Sequence, residues 1–142
     1  MPSELPLHSV SVTGVVVRRD GRVLAIKRAD DGRWVPPGGV LELDESPEAG
    51  VVREVYEETG VRVEPEGLTG VYKNMERGVV TLAFRCRVVE GAGRATEEAA
   101  EVAWLTVDEA RARMVEARAV RVLDAVRADG PFVRVHDGVR VR

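Results

Sequence analysis

Gly39-Val40-Leu41-Glu42-Leu43-Asp44-Glu45-Ser46-Pro47-Glu48-Ala49-Gly50-Val51-Val52-Arg53-Glu54-Val55-Tyr56-Glu57-Glu58-Thr59-Gly60-Val61 is the stretch on which the reading of this chain turns. Ser46-Pro47-Glu48 opens a helix: a serine hydroxyl accepts from the free N–H groups of a first turn, and proline at the first helical position has no N–H to lose. Gly60 after Thr59 is the matching stop signal. The helix between them has about three and a half turns. At about 100° per residue, Ala49, Val51, Val52, Val55, Tyr56 and Thr59 share one side and are expected to face a core. Glu54, Glu57 and Glu58 gather on the other side.

That acidic side needs an explanation. Glu54 repels Glu58 at i,i+4 and Glu57 at i,i+3, by roughly 0.2–0.5 kcal/mol per pair even in solvent. Glu57 and Glu58 also crowd the helix C-terminus, where the backbone already carries partial negative charge. An acidic helix face taken alone is a solvated surface, but here its neighbours point the same way. A hard cation bound through oxygen relieves converging carboxylates most simply, with Mg²⁺ the leading candidate and Mn²⁺ next. Arg53, one turn before Glu57, is placed to pair with it or with a loop acid, of which Glu45 is best placed, bracing loop against helix. Gly38-Gly39 lets backbone amides and carbonyls approach a metal or phosphate closely. Gly50 sits on the acidic side, where it costs about 1 kcal/mol relative to alanine; close approach of a loop or ligand, or plain packing, accounts for it.

Outward from the helix, His8 to Arg18 is valine-rich, Arg19-Asp20-Gly21 signals a turn, and Arg22 to Arg28 resumes strand character, which predicts a β-hairpin. A loop follows, with Trp34 as its apolar anchor before Pro36-Pro37. Strands are expected over Arg62–Tyr72, Val79–Val89 and Glu101–Leu105. Thr106 and Glu109 form a capping-box pattern, and Ala119, Val120, Leu123 and Val126 recur at helical spacing between Glu116 and Arg127. Pro131 to Val141 is expected to form a terminal hairpin turning at Asp137-Gly138. No repeat, linker or low-complexity tract interrupts the chain, so residues 1–142 are read as one domain.

Composition sets limits on function. With 44% hydrophobic, 32% charged and only 4% aromatic residues, the core must be built mainly from Val, Leu and Ala. No apolar run reaches the roughly 18–20 residues of a membrane helix, and Met1-Pro2-Ser3-Glu4-Leu5-Pro6 lacks a basic start and apolar signal core. A cytoplasmic location, with no membrane partner, is expected. Cys86 is the only cysteine, which excludes an internal disulfide; it shares a strand face with Val80, Leu82, Phe84 and Val88 and is read as a buried structural thiol. His8 and His136 are isolated, so a nucleophilic triad or Cys-His pair cannot be built. The net charge of −3 argues against general nucleic-acid binding, yet residues 111–142 hold eight Arg against four acids. That basic segment is a solvated surface or a patch facing an anion or partner.

The spacing resembles the Nudix box: glycine, five residues, glutamate, seven residues, Arg-Glu, an apolar residue, any residue, Glu-Glu, any residue, glycine and an apolar residue. Gly39, Glu45, Arg53-Glu54-Val55, Glu57-Glu58, Gly60 and Val61 fill every defined position. The strand before Arg28, the Trp34-to-Gly38 approach and the glutamate-rich loop before Trp104-Leu105 extend the likeness over roughly residues 10–110. The resemblance implies an α/β fold, an α/β/α sandwich around a mixed sheet, here with a C-terminal helix and terminal hairpin. It implies metal-dependent hydrolysis of the pyrophosphate in a nucleoside diphosphate linked to another moiety: a nucleoside triphosphate, nucleotide sugar or related small molecule. Glu54, Glu57 and Glu58 match metal ligands, with the Gly39 carbonyl as a further ligand, while Glu45 and Arg53 match bracing positions.

The resemblance implies that the general base is a box glutamate, with Glu54 and Glu57 eligible, or one from the later loop. Glu97, Glu98 and Glu101 are the late candidates, and Glu98 is preferred from its placement before Trp104. Lys27 and Arg28 are candidates to face phosphate, an edge-strand basic pair being the plainer reading. Some subfamilies carry a proline or tyrosine about sixteen residues past the box to read ADP-ribose or dinucleoside polyphosphates; Glu76-Arg77 stands there instead, which disfavours those substrates. The segment from Pro131 covers an edge, joins a homodimer or narrows the cleft. A non-catalytic, ligand-sensing Nudix module would show a degraded box, and this one is intact. Hydrolysis of RNA 5′ ends needs a basic track with stacking aromatics, and the chain has only two Trp, two Tyr and two Phe.

Overall fold

The first strand, β1 (Ser9–Val16), sets the architecture because from Val12 on neither of its faces meets solvent: Val12, Thr13, Val15 and Val16 are all at most 2% exposed. The computed structural model describes residues 4–127 and 129–142, so Met1–Ser3 of the N-terminal stretch lie outside the described residues. Alternate β1 side chains enter two different cores. Val12 and Val16 pack with Val51 and Val55 of α1 (Pro47–Thr59), whereas Val15 packs with Ala119 and Val122 of α3 (Glu116–Val126). The result is the expected α/β/α sandwich.

The main sheet is mixed. Its order is β4 (Gly38–Val40), β1, β6 (Val79–Glu90), β5 (Arg62–Asn74), β8 (Phe132–His136). β1 runs parallel to β6 and β5 parallel to β8, while the β1–β4 and β5–β6 pairs are antiparallel. A second, antiparallel sheet has the order β3 (Trp34–Val35), β2 (Val23–Arg28), β7 (Ala99–Leu105). Among the described residues no helix is long and apolar enough to cross a membrane.

The hairpin expected at residues 8–28 does not form. β1 and β2 lie in different sheets, and the ladder between them is just the Val17–Val23 bridge and the Arg18 amide's bond to the Arg22 carbonyl among the described residues. A strand buried on both faces belongs inside its sheet, and both hydrogen-bonding edges of β1 are taken by β4 and β6, so β2 must pair elsewhere. The terminal hairpin is shorter than expected. β8 adds to the sheet edge parallel to β5, and the return past Asp137-Gly138 is one bridge, His136 to Val141. The Asp137 carboxylate accepts from the Val139 and Arg140 amides and fixes that turn.

The caps form as read. Ser46 Oγ accepts from the Ala49 amide at 3.2 Å, and Gly60 closes α1 in the left-handed conformation. Thr106 and Glu109 make a reciprocal capping box on α2 (Val107–Arg113). Cys86 is fully buried and packed in the α1-side core, and burial pushes its thiol up to about 12, which keeps it protonated and inert.

The buried stripe of α1 differs from the one expected. Its buried residues are Gly50, Val51, Val55, Glu58 and Thr59, while Ala49 and Tyr56 are exposed. The loop from Gly38 to Glu45 packs onto the Gly50–Glu54–Glu58 flank and rotates the covered face toward it. Tyr56 is left outside, where the Arg62 guanidinium stacks 4.3 Å from its ring centroid. A Cβ at Gly50 would come 2.5 Å from Leu41 Cδ1 and 3.1 Å from Glu45 Oε1, so loop contact explains this glycine. Gly50→Ala is therefore expected to destabilise the chain by about 1–3 kcal/mol through overpacking, outweighing the gain of about 1 kcal/mol that helix propensity alone offers. Urea denaturation measures the sign; a stabilised variant would refute the loop contact.

Candidate active site

Each side chain of the site is delivered by a separate piece of local structure. The turns of α1 bring Glu54 and Glu58 to the flank covered by the loop. β4 pairs with β1 so that Gly38 lies opposite Thr13 and Gly39 opposite Val12, which lays the glycine backbone along that flank. The loop before β7 contributes Glu97 and Glu98 from the other side. Together with Arg28, Ala29, Asp30 and Val40 these residues line a cleft of about 590 Å³. Glu54, Glu58 and Glu98 each point one carboxylate oxygen into a common space, all within 4.8 Å of one another.

The glycines make the arrangement possible. A Cβ at Gly39 would sit 2.5 Å from the Glu54 carboxyl carbon, so any side chain there would displace the carboxylate. The Gly38 amide donates to Glu58 Oε1 at 2.7 Å. That one hydrogen bond does not offset burial: Glu58 is 6% exposed, and desolvation, then the charges of Glu54 and Glu98, push its carboxyl up to about 8. Glu54 is raised as well, chiefly by burial, with Arg53 opposing.

Arg53 is the organising cation. Its Nε donates to Glu45 Oε2 at 2.9 Å, its Nη1 to Glu54 at 2.9 Å and Glu57 at 3.4 Å, and its Nη2 to the Val40 carbonyl at 3.3 Å and to Glu45 Oε1. Glu45 also accepts from the Glu42 amide. The Arg53 hydrogen bonds come first among the causes that hold the Glu45 carboxyl at about 2. Glu57 leans on Arg53 with 53% of its side chain exposed and stands outside the group of three converging carboxylates.

The basic residues separate. Arg28 lines the cleft but is held by Asp30 through Nε at 2.9 Å and Nη2 at 2.6 Å, whereas Lys27 pairs with Glu101 at 3.4 Å. Of the three late glutamates, Glu97 and Glu98 face the cleft and Glu101 is engaged by Lys27. The Arg28–Asp30 pair is bidentate and spans two residues, so the spacing of the two in the sequence is the signal that could have found it.

The donor set fits a hard divalent cation: clustered carboxylate oxygens, one of them buried with a single hydrogen bond, beside a glycine cradle that a Cβ would fill. In metal-free solution the same burial has a measurable cost. Folding raises the Glu58 carboxyl from near 4.5 to about 8, so between these values the native state holds a proton that the unfolded chain releases. Stability is then expected to fall as pH rises across that window, by on the order of a few kcal/mol at most. Chemical denaturation at pH 5 and pH 8 in chelator, wild type against Glu58→Gln, measures it; equal slopes in both proteins would remove Glu58 as the cause.

Comparison with known proteins bears on the same residues. The NUDIX domain model matches residues 7–126. A MutT-like protein of Streptomyces ambofaciens is 63% identical over 133 residues, covering 94% of this chain and 86% of that protein. An ADP-ribose pyrophosphatase of Methanocaldococcus jannaschii is 34% identical over 104 residues, covering 68% of this chain and 62% of its own. The crystal structure of a NUDIX hydrolase from Nitrosomonas europaea shares the fold at a TM-score of 0.79 and 23% identity, covering 94% of this chain and 82% of that one. With Gly39, Glu54 and Glu58 of the box at one cleft and the match spanning most of its length, this chain belongs to the NUDIX domain family, the Nudix-type pyrophosphohydrolases.

Proposed function

We propose that the chain hydrolyses the pyrophosphate of a nucleoside diphosphate linked to a second moiety, using a divalent cation, Mg²⁺ or Mn²⁺, at the glutamate cleft. The observation that carries this reading is the convergence of Glu54, Glu58 and Glu98 beside the Gly38-Gly39 backbone. Glu54 and Glu58 would hold the cation, with the Gly39 carbonyl and Glu57, which now accepts from Arg53, as further ligands. A divalent ion supplies charge neutralisation on the pyrophosphate and lowers the pKa of water.

The protein's own groups do the rest. Glu98 faces Glu54 and Glu58 across the cleft and is the group best placed to accept the proton of the attacking water. Arg28 places a positive charge on the cleft wall beside the incoming phosphates, with Asp30 fixing its guanidinium. Arg53 and Glu45 tie the loop to α1 and keep Glu54 in register, which is a positioning role.

The substrate is a small nucleotide derivative. One relative is named for ADP-ribose, and the absence of proline or tyrosine about sixteen residues past the box, where Glu76-Arg77 stands, points instead to other diphosphates. The test is a panel of nucleoside triphosphates, nucleotide sugars and ADP-ribose with Mg²⁺, Mn²⁺ or chelator, scored by product. Metal-dependent release of a nucleoside monophosphate is expected; undiminished hydrolysis in chelator, or none with any substrate, would sink the reading.

A further inference from the structure

The basic C-terminal segment is not used by the glutamate cleft, yet part of it turns inward. Arg121 of α3 is 3% exposed, and its guanidinium makes one hydrogen bond, from Nη1 to Thr13 Oγ1 at 3.1 Å. Among the described residues its Nε has no acceptor. Asp124, the buried acid one turn on, is already committed: it accepts from the Tyr72 hydroxyl at 2.7 Å and from Arg134 at 2.7 and 2.8 Å. His136 is also 3% exposed. Its Nδ1 accepts from the Gly138 amide at 3.0 Å, which leaves Nε2 as the protonated nitrogen of the neutral ring, and among the described residues that atom too has no partner.

Both donors lie between α3 and the sheet: the Arg121 guanidinium stands 5.5 Å from the Tyr72 ring centroid, and His136 is on the face of β8 from which Arg134 reaches Asp124 of α3. Burial, then Arg121 and Arg118, lowers the His136 pKa. Burial, then Arg118, lowers that of Arg121 to about 9. Arg118 is itself held down by burial and by the charges of Arg28, Arg33 and Arg77, with Asp31 opposing. A cation buried without a counter-ion is costly, so such a cluster is explained when an anion completes it. The place also matters: Thr13, to which Arg121 donates, pairs in the sheet with Gly38, whose amide holds Glu58. The cluster therefore lies behind the glycine edge of the cleft, and Arg28 is common to both fields.

We propose that Arg118, Arg121 and His136 form an anion subsite that takes a phosphate dianion, carried on the part of the substrate remote from the scissile pyrophosphate. This rests on the glutamate cleft being the hydrolytic site, and it narrows the substrate to nucleotide derivatives bearing an additional phosphate ester. A phosphate offers acceptor oxygens for the Arg121 Nε–H and the His136 Nε2–H together, with charge-assisted bonds from both guanidiniums.

The test measures binding without turnover, so it stands apart from any failure of hydrolysis. The full chain in chelator is titrated calorimetrically with inorganic phosphate, then with NADP⁺ and NAD⁺, which differ by one ribose phosphate. Wild type is expected to bind phosphate, and to bind NADP⁺ at least tenfold more tightly than NAD⁺. Arg121→Gln and Arg118→Gln are expected to weaken phosphate binding tenfold and to erase the NADP⁺ preference. Arg118 is only half-buried, so its variant decides the matter should Arg121→Gln fail to fold. No phosphate binding by wild type, or unchanged binding in Arg118→Gln, overturns the subsite. Phosphate binding with equal affinities for NADP⁺ and NAD⁺ assigns the pocket to free phosphate and overturns the substrate assignment.

Discussion

Glu58→Gln is expected to lower pyrophosphate hydrolysis by roughly 100-fold or more while leaving the fold intact, because groups that merely orient metal ligands already cost 10–100-fold when lost. The substitution removes charge but little else. A glutamine carbonyl can still accept from the Gly38 amide that now bonds Glu58 Oε1 at 2.7 Å, and the side chain keeps its place under the loop. In chelator the variant should melt at the same temperature or slightly higher, since the Glu58 carboxylate is buried and opposed by Glu54 and Glu98. Added Mg²⁺ should then stabilise wild type more than the variant, through preferential binding to the native state. Steady-state kinetics and paired thermal melts read both effects. Wild-type turnover, or equal stabilisation by Mg²⁺, would end the metal assignment. Glu57→Gln is expected to do less to the Mg²⁺-dependent shift than Glu58→Gln, because its side chain is half in solvent and engaged by Arg53.

How much of this was legible beforehand divides along local and non-local physics. The caps of α1 and α2 follow from residues within a turn of each other, and they formed as read. The carboxylates of α1 follow from helical spacing, but which of them meet does not. Loop packing on Gly50 and Glu54 draws Glu54 and Glu58 under cover and leaves Glu57 outside, and periodicity carries no information about where a loop lands. The same limit explains the β1–β2 error: an Asp-Gly turn between a valine-rich run and a second strand-like run is a fair local hairpin signal, and only the far neighbours β4 and β6 show that both edges of β1 are occupied. Arg121 was hidden for a related reason. Its one hydrogen bond reaches Thr13, 108 residues away, and in sequence it looks like any arginine of an amphipathic helix.

Arg53→Ala is expected to be the most destabilising change at the site, by about 2–3 kcal/mol, which for a chain of this size lowers the melting temperature by roughly 5–10 °C. One guanidinium spans the loop acid Glu45, the cleft acid Glu54 and the Val40 carbonyl, and removing it strands two carboxylates whose side chains are 14% and 12% exposed. Breaking a fully buried pair costs about 3–5 kcal/mol, and the quarter of the Arg53 side chain that meets solvent reduces this. Lysine keeps the charge but not the fork, so Arg53→Lys should fall between wild type and alanine in both stability and kcat. The pH dependence supplies a second reading. Arg53 holds the Glu45 carboxyl near 2 against an ordinary value of 4.5, so the stability this contributes is present above about pH 4.5 and is lost as pH falls toward 2. The gap between wild type and Arg53→Ala should therefore close across that acid window. Denaturation curves at pH 6, 4 and 2.5 measure it, and a gap that stays constant would mean that Arg53 acts through packing and not through its hold on Glu45.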